Sequence, residues 1–425
     1  MSITNSILLT LNIKDDSIHF DENCVSEEKF KGIHSLIYEG TLSYDPPSCC
    51  PICGCINENH SIIKHGSKVV HVRLPAVSKK QTILRLHKQR FFCKHCRKTF
   101  SAQSNIVEDN CSISFNSRTS ILLDAKNKIS EKDIAKNNFV SHATVNSLLL
   151  KTYSRFIINK THLPAHLCFD EFKSVKSVSC HMSFIFLDAD TGNIVNILEN
   201  RNLPHLLRFF FSYSREARMK VKTICMDMYS PYISLVKSCF PNADIIIDRF
   251  HIVQLLARSL NKTRIQLMKK DKKNYNKLKR YWKLILKRRE DLEVVNFKSY
   301  TCFTKWMREI DIVDYLLSLD TEFENTYNLY QDLLSAIKHR KVDCFIASLK
   351  IDPSTISTYM QTSLETLQKY KNYIINALHY SYSNGVMEGT NNLIKVIKRI
   401  AFGYRSFLRF KIRILLISNT MIKLL

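Results

Sequence analysis

The spacing of apolar and polar positions changes period several times along the chain. Five short apolar runs, at residues 167–172, 182–187, 194–198, 221–227 and 243–248, have the length and composition of strands. The turn residues Asp190-Thr191-Gly192-Asn193 separate the second run from the third. Residues 203–219 and 232–239 have helical spacing and fall before and after the fourth run. From 251 to 380 the spacing is helical throughout, with no convincing strand. Asn384-Gly385 is turn chemistry, and the stretch behind it, through Ile400, is again helical. At roughly 100° per residue, Glu388, Asn391, Asn392, Lys395 and Arg399 fall within about 60° of one another. Leu393, Ile397 and Ile400 lie opposite, as the seam that should be buried. Upstream, 68–74 and 82–92 read as strands and 118–156 as helices. Residues 1–45 hold one alternating run and one helix candidate, and no chemistry attaches to them.

Three consecutive strands, a crossover helix, then strand-helix-strand is the order of a ribonuclease-H-like mixed sheet with helices on both faces. The expected fold class is therefore multidomain α/β, with that core interrupted by an all-helical insertion. A chain of 425 residues is long enough for two or more domains, and 45% hydrophobic content fits a globular protein.

Charge narrows the partners. Lys and Arg number 63 against 38 acidic residues, a formal net charge of +25. That balance points to a polyanion, with nucleic acid ahead of a membrane surface. No apolar stretch reaches the roughly 18 residues that span a bilayer, and the N-terminus lacks signal-peptide features. The expected location is the cytoplasm, so the 14 cysteines read as thiols or metal ligands rather than disulfides. A dense basic run from Arg258 to Arg289, interleaved with Tyr275, Tyr281 and Trp282, is either a solvated helix face or a nucleic-acid contact.

Two C-x2-C knuckles, Cys50/Cys53 and Cys93/Cys96, are separated by 39 residues containing the two upstream strands. Four thiolates delivered by two tight turns match the tetrahedral preference of Zn²⁺, and a hairpin between them makes a zinc ribbon. Cys49 and Cys55 flank the first knuckle as substitutes, and two unrelated redox pairs are the competing reading. Behind the ribbon, Ser130-Glu131-Lys132-Asp133 resembles a capping box and Ser141 caps a second helix. Asn137-Asn138 should supply the turn, because Asn tolerates positive φ. Short helix, turn, second helix is the helix-turn-helix pattern. It makes His142, Thr144 and Asn146 the candidate DNA contacts, against two helices packed with no nucleic-acid role.

Cleaving a phosphodiester with two divalent cations requires several carboxylates on rigid elements. Asp170 lies in the first core strand and Asp227 at the end of the fourth, which are neighbours in a sheet of this order. Glu388 on the late helix is the third candidate. Glu171 points away from Asp170 because strand side chains alternate. Asp188 and Asp190 sit at a turn, and Asp248 remains a spare ligand.

With these motifs in hand, the chain resembles the bacterial insertion-sequence transposases of the DDE type, specifically the family called ISL-three. The resemblance rests on Cys50-Pro51-x-Cys53-Gly54, Arg90-Phe91-Phe92-Cys93-Lys94-His95-Cys96 and the helix-turn-helix after Ser130. It continues through Asp170-Glu171-Phe172, Asp227-Met228 and Asp248-Arg249-Phe250-His251. It ends on Asn384-Gly385-x-x-Glu388-Gly389-x-Asn391-Asn392-x-Ile394-Lys395, Lys398-Arg399 and Gly403-Tyr404-Arg405. These occur in family order over nearly the whole chain beyond residue 45.

The resemblance implies Asp170, Asp227 and Glu388 as catalytic ligands of Mg²⁺ (or Mn²⁺), with structural Zn²⁺ on Cys50, Cys53, Cys93 and Cys96. Terminal inverted repeats and target DNA are the implied partners, bound by a homodimer or higher oligomer in a bacterial, nucleoid-associated setting. Asn391, Asn392, Lys395, Lys398, Arg399 and Arg405 are candidate DNA contacts beside the catalytic centre. The expected domains are an N-terminal segment (1–45), zinc ribbon (46–105), helix-turn-helix (106–160), core (161–251), helical insertion (252–380) and the returning core helices (381–425). A catalytically silent DNA-binding regulator and a structure-specific nuclease are the competing functions.

Overall fold

The computed structural model describes residues 3–418 and 420. The chain is a multidomain α/β protein that divides into two compact units. One comprises Met1–Ile157, Val175–Ser177 and Leu393–Leu425; the other comprises Ile158–Ser174 and Val178–Asn392.

The first unit is built on a six-stranded sheet: β1 (Ile18–His19), β2 (Val25–Phe30), β3 (Ile33–Leu42), β4 (Ile62–Val77), β5 (Lys80–Cys93) and β6 (Thr99–Ser101). The long β4–β5 hairpin closes on Ser78 and Lys79, both at positive φ (50° and 61°), the two-residue turn whose twist matches paired strands. Residues 18–42 supply three strands of this sheet, with β3 running parallel to β5 from Ser35/Gln81 to Leu42/Lys88. Pairing between segments so far apart leaves no local mark in the sequence.

Helices Phe115–Asp124, Glu131–Asn137 and His142–Ser154 follow. Ser130 and Asp133 form the anticipated capping box, and Ser141 accepts from the Thr144 N–H. The turn between the last two helices departs from expectation. Positive φ falls on Phe139 (51°), while Asn138 stays at −101°. Asn138 is instead buried, donating to Asp124 Oδ2 at 2.7 Å and accepting from Ser120 Oγ at 2.8 Å. Those tertiary hydrogen bonds outweigh the modest left-handed preference of Asn. Further along this unit, the fully buried Arg413 donates to the carbonyls of Ala125, Asn127 and Ile129.

The second unit contains a five-stranded mixed sheet: β7 (His166–Lys173), β8 (Met182–Asp188), β9 (Ile194–Leu198), β10 (Thr223–Met226) and β11 (Asp244–Ile247). Its spatial order is β11-β10-β7-β8-β9, antiparallel among β7, β8 and β9 and parallel from β7 through β10 to β11. On one face Phe169, Phe184, Phe186, Phe210, Phe240 and Tyr232 form an aromatic core. Edge-to-face pairs such as Phe169–Phe184 at 5.1 Å and Phe210–Phe240 at 5.1 Å fit the ring quadrupoles. Gly192, at φ 72°, closes the β8–β9 turn where a Cβ would stand 2.9 Å from Val386, so both backbone conformation and space favour glycine.

Residues 249–379 are mostly helical, from Arg249–Lys270 to Lys371–His379, with an irregular stretch at 292–308, around an apolar core that Ile247 of β11 joins. The basic run splits into two groups. Arg264 is buried and donates to Leu278 O, while Lys287, Arg288 and Arg289 pair with Glu309, Asp291 and Asp314. Lys269, Lys270, Lys272, Lys273, Lys279, Arg280 and Lys283 stay exposed. Among the described residues, no helix is long and apolar enough to cross a membrane.

Candidate active site

Parallel pairing of β7 with β10 sets Thr223 beside His166, Ile224 beside Leu167 and Cys225 beside Cys168. Because strand side chains alternate, one sheet face carries His166 with Thr223, then Cys168 with Cys225, then Asp170 with Asp227 just past the strand end. The opposite face is the aromatic one, and there Glu171 pairs with Arg201 and accepts from Tyr232 Oη at 3.1 Å. Alternation thus separates the two adjacent acids, as the sequence predicts. Asp188 accepts from the Asp190 N–H and Thr191 Oγ1 in its own turn.

Residues 382–384 descend this ladder. Tyr382 stacks on His166 at 4.6 Å, the Cys168 thiol points at Ser383 O (3.9 Å), and Asn384 Nδ2 lies 3.3 Å from Asp227 Oδ1. Asn384 also donates its backbone N–H to Asp248 Oδ1 and its amide to Phe169 O. Its carbonyl accepts from the Glu388 N–H at 3.1 Å, opening helix Gly385–Ile400. One helical step beyond Glu388, Asn391 Nδ2 donates to Asp170 Oδ2 at 2.7 Å. Asn384, Glu388 and Asn391 stand at i, i+4 and i+7, a single stripe of the helix. The outer two touch Asp227 and Asp170, and Glu388 between them is exposed. Inward anchoring of Asn391 also rotates the buried arc of this helix. Met387, Ile394 and Ile397 are buried, whereas the expected seam members Leu393 and Ile400 are only half-buried.

The electrostatics concentrate negative charge at the ladder's end. Burial raises the Asp227 carboxyl to about 6, with Asp170, Asp248 and Glu171 pushing the same way and His251 opposing. Asp170 is raised too, again chiefly by burial, against hydrogen bonds from the Glu171 N–H and Asn391. His251 Nδ1 lies 3.0 Å from Asp227 Oδ1 and 3.4 Å from Asp248 Oδ2, and the Asp248 hydrogen bond is the main cause of its raised pKa. Two desolvated carboxylates whose hydrogen-bond partners are amides and one imidazole, with the Asp248 carboxylate close by, are hard oxygen donors suited to a divalent cation. Glu388 does not converge with them. Among the described residues, the sets of three or more candidate ligand atoms within 4.8 Å of one another contain only Cys and His.

One such set is Cys50, Cys53, Cys93 and Cys96. The Cys50–Cys96 and Cys53–Cys93 sulfur separations are both 3.9 Å, against about 3.8 Å for tetrahedral thiolates at Zn–S bonds of about 2.3 Å. The first knuckle is closed by the Gly54 N–H on Cys50 O and the second by the Cys93 N–H on Lys98 O. Backbone N–H groups of Cys55 and Cys96 hold the Cys53 thiol down to about 6 and lower Cys93, while burial pushes Cys96 up to about 11, so one thiol of each knuckle is held toward the thiolate. Cys55 comes within 3.3 Å of Cys93 and forms a smaller set with Cys53 and His95, so of the two flanking cysteines it is the one near the cluster; Cys49 is exposed.

The remaining candidates are dispersed. His142 Nε2 lies 3.1 Å from both Glu131 Oε2 and Arg409, Thr144 bonds Ser141, and the Asn146 amide oxygen is buried without a partner. Asn392, Lys395 and Arg399 are exposed along their helix and Lys398 is half-buried. Arg405 is exposed at a 630 Å³ cavity shared with Glu131, His142, Tyr404 and Arg409. Sequence reasoning missed Asn384 as a carboxylate partner. The available signal was an Asn four residues before a candidate ligand, which reads first as a turn.

Against known proteins, residues 167–414 match the family model of the ISL-three DDE transposases, described as "Transposase". Residues 46–96 match the zinc-finger of the transposases IS204, IS1001, IS1096 and IS1165. A Bordetella parapertussis transposase for insertion sequence element IS1001 is 22% identical over 249 residues, covering 56% of this chain and 57% of that protein. A Lactococcus lactis subsp. lactis protein named ATP-dependent protease is 46% identical over 110 residues, 26% of this chain and 35% of that one. The chain therefore spans between about a third and three fifths of the length of these curated relatives.

Proposed function

The chain belongs to the ISL-three family of DDE transposases, and from that premise we propose that it binds the terminal inverted repeats of an insertion sequence and cuts and rejoins DNA there in a Mg²⁺-dependent reaction. Asp170 and Asp227, with Glu388, would hold the cation (Mn²⁺ being the usual substitute). Bound there, divalent cations activate the attacking oxygen and stabilise the leaving one. The observation that carries this reading is the single helix stripe on which Asn384 and Asn391 reach the two aspartates, with Glu388 between them. The strand order supports a ribonuclease-H-like core, and the 161 residues from Asp227 to Glu388 accommodate the helical block as an insertion.

The chain's own groups have defined tasks in this scheme. His251 and Asn384 orient the Asp227 carboxylate, and the Glu171 N–H and Asn391 orient that of Asp170. The zinc ribbon and helices Glu131–Asn137 and His142–Ser154 engage the repeats. The exposed cations Lys395, Arg399 and Arg405 neutralise phosphates, and two or more copies assemble on the DNA.

A cleavage assay with Mg²⁺ on DNA carrying the repeats that flank the gene tests the proposal. Nicking at the element end followed by joining of the freed 3′-hydroxyl to a target supports it. Binding without nicking would identify a silent regulator, and nicking without joining a nuclease; either result contradicts the proposal.

A further inference from the structure

We propose that Asn384 and Asn391 are positioning residues that together fix where Glu388 stands relative to Asp170 and Asp227, and thereby set how tightly the site holds a divalent cation. The inference rests on reading those three acids as the metal ligands. It assigns Asn391 a task other than contacting DNA.

Asn391 is half-buried and its amide is committed, with Nδ2 2.7 Å from Asp170 Oδ2. Asn384 is 7% exposed and its Nδ2 faces Phe169 O at 3.5 Å and Asp227 Oδ1 at 3.3 Å. Turning either amide over would set oxygen against a carboxylate oxygen, so the nitrogen must face the acid. In both residues the other amide atom, Oδ1, is buried with no hydrogen-bond partner. A buried acceptor left unpaired is costly, and such costs persist where the orientation itself is used.

The geometry shows what the orientation achieves. Asn384 precedes Glu388 by four residues and Asn391 follows it by three. Both ends of the stripe are tied to the sheet, one to each aspartate, so the helix cannot rotate about its axis at Glu388 without breaking a tie. Tyr382 on His166 and Ser383 beside Cys168 set the entry of the same segment one rung at a time. Partners of this kind, one shell out from a metal, orient the ligands and tune affinity.

The test uses full-length protein and two independent readouts. Mn²⁺ binding is followed by titration calorimetry, and end cleavage is measured against Mg²⁺ concentration. Asn391→Ala is expected to weaken Mn²⁺ binding by about 10-fold or more and to raise the Mg²⁺ needed for half-maximal cleavage in step. Affinity for repeat DNA and the metal-free melting temperature should hold. Should Asn391→Ala fail to fold, Asn391→Ser, which keeps a donor, carries the same measurements with a smaller expected loss. Unchanged Mn²⁺ affinity, or a loss confined to DNA binding, would overturn the positioning role. Asp227→Ala separates the two levels of the argument. If it abolishes Mn²⁺ binding while the Asn391 variants match wild type, only the positioning role fails. If it leaves Mn²⁺ binding intact, the ligand assignment itself fails.

Discussion

Asn391 donates to Asp170 at 2.7 Å although 221 residues separate them in the chain. That hydrogen bond joins the start of the five-stranded sheet to the helix that carries Glu388, with the whole helical block lying between them in sequence. A half-buried amide thus meets a largely desolvated carboxylate, and hydrogen bonds to an ionised acceptor are among the stronger ones.

The raised Asp227 carboxyl makes the site pH-sensitive. Its folded pKa of about 6 lies above the ordinary carboxylate value, so below that ordinary value the group is protonated in both states and contributes nothing. Between that ordinary value and 6 the unfolded chain is ionised while the folded protein holds its proton, so metal-free stability falls as pH rises across that window and levels off above 6. The size of the loss is at most about 3 kcal/mol. A divalent cation needs the ionised form, so the Mg²⁺-induced rise in melting temperature should be full at pH 7.5 and shrink below pH 6. Thermal melts with and without Mg²⁺ across that range check both signs.

The cysteine cluster predicts one Zn²⁺ per chain. Cys93→Ser should lose the metal and, with it, affinity for repeat DNA, whereas Cys49→Ser should keep both. Metal analysis together with a DNA-binding isotherm measures this; equal zinc content in the two variants would contradict the four-thiolate assignment.

Arg413 predicts a purely structural effect. Its guanidinium is fully buried and serves the carbonyls of Ala125, Asn127 and Ile129 beyond helix Phe115–Asp124. Arg413→Met fills the space but leaves those acceptors unpaired, at a cost of about 3 kcal/mol. Urea unfolding should show that loss, while Mn²⁺ binding at the aspartates stays as in wild type.

Much of the site was legible because it follows from local periods. Strand alternation alone puts Asp170 and Glu171 on opposite faces, and C-x2-C spacing alone pairs the thiols. What escaped depends on partners distant in sequence. A helical wheel groups Asn391 with Glu388 and Lys395 but cannot tell that Asp170 lies across from it, so Asn391 reads as a DNA contact. Asn138 looks like the turn residue until Asp124 and Ser120 claim its side chain, and the left-handed conformation passes to Phe139. Arg264 and Lys287 to Arg289 look like part of one basic face until Leu278, Glu309, Asp291 and Asp314 are placed beside them. Residues 18–42 gave no sign of their role because β3 finds its parallel partner in β5.

The most direct test of the central claim compares Asp227→Ala and Glu388→Ala with wild type in Mg²⁺-dependent cleavage of an element end, with repeat binding measured on the same samples. Losing a ligand removes several kcal/mol of charge stabilisation, so cleavage should fall by about a thousand-fold or more while repeat binding persists. Cleavage near the wild-type rate in either variant would contradict the assignment of these acids.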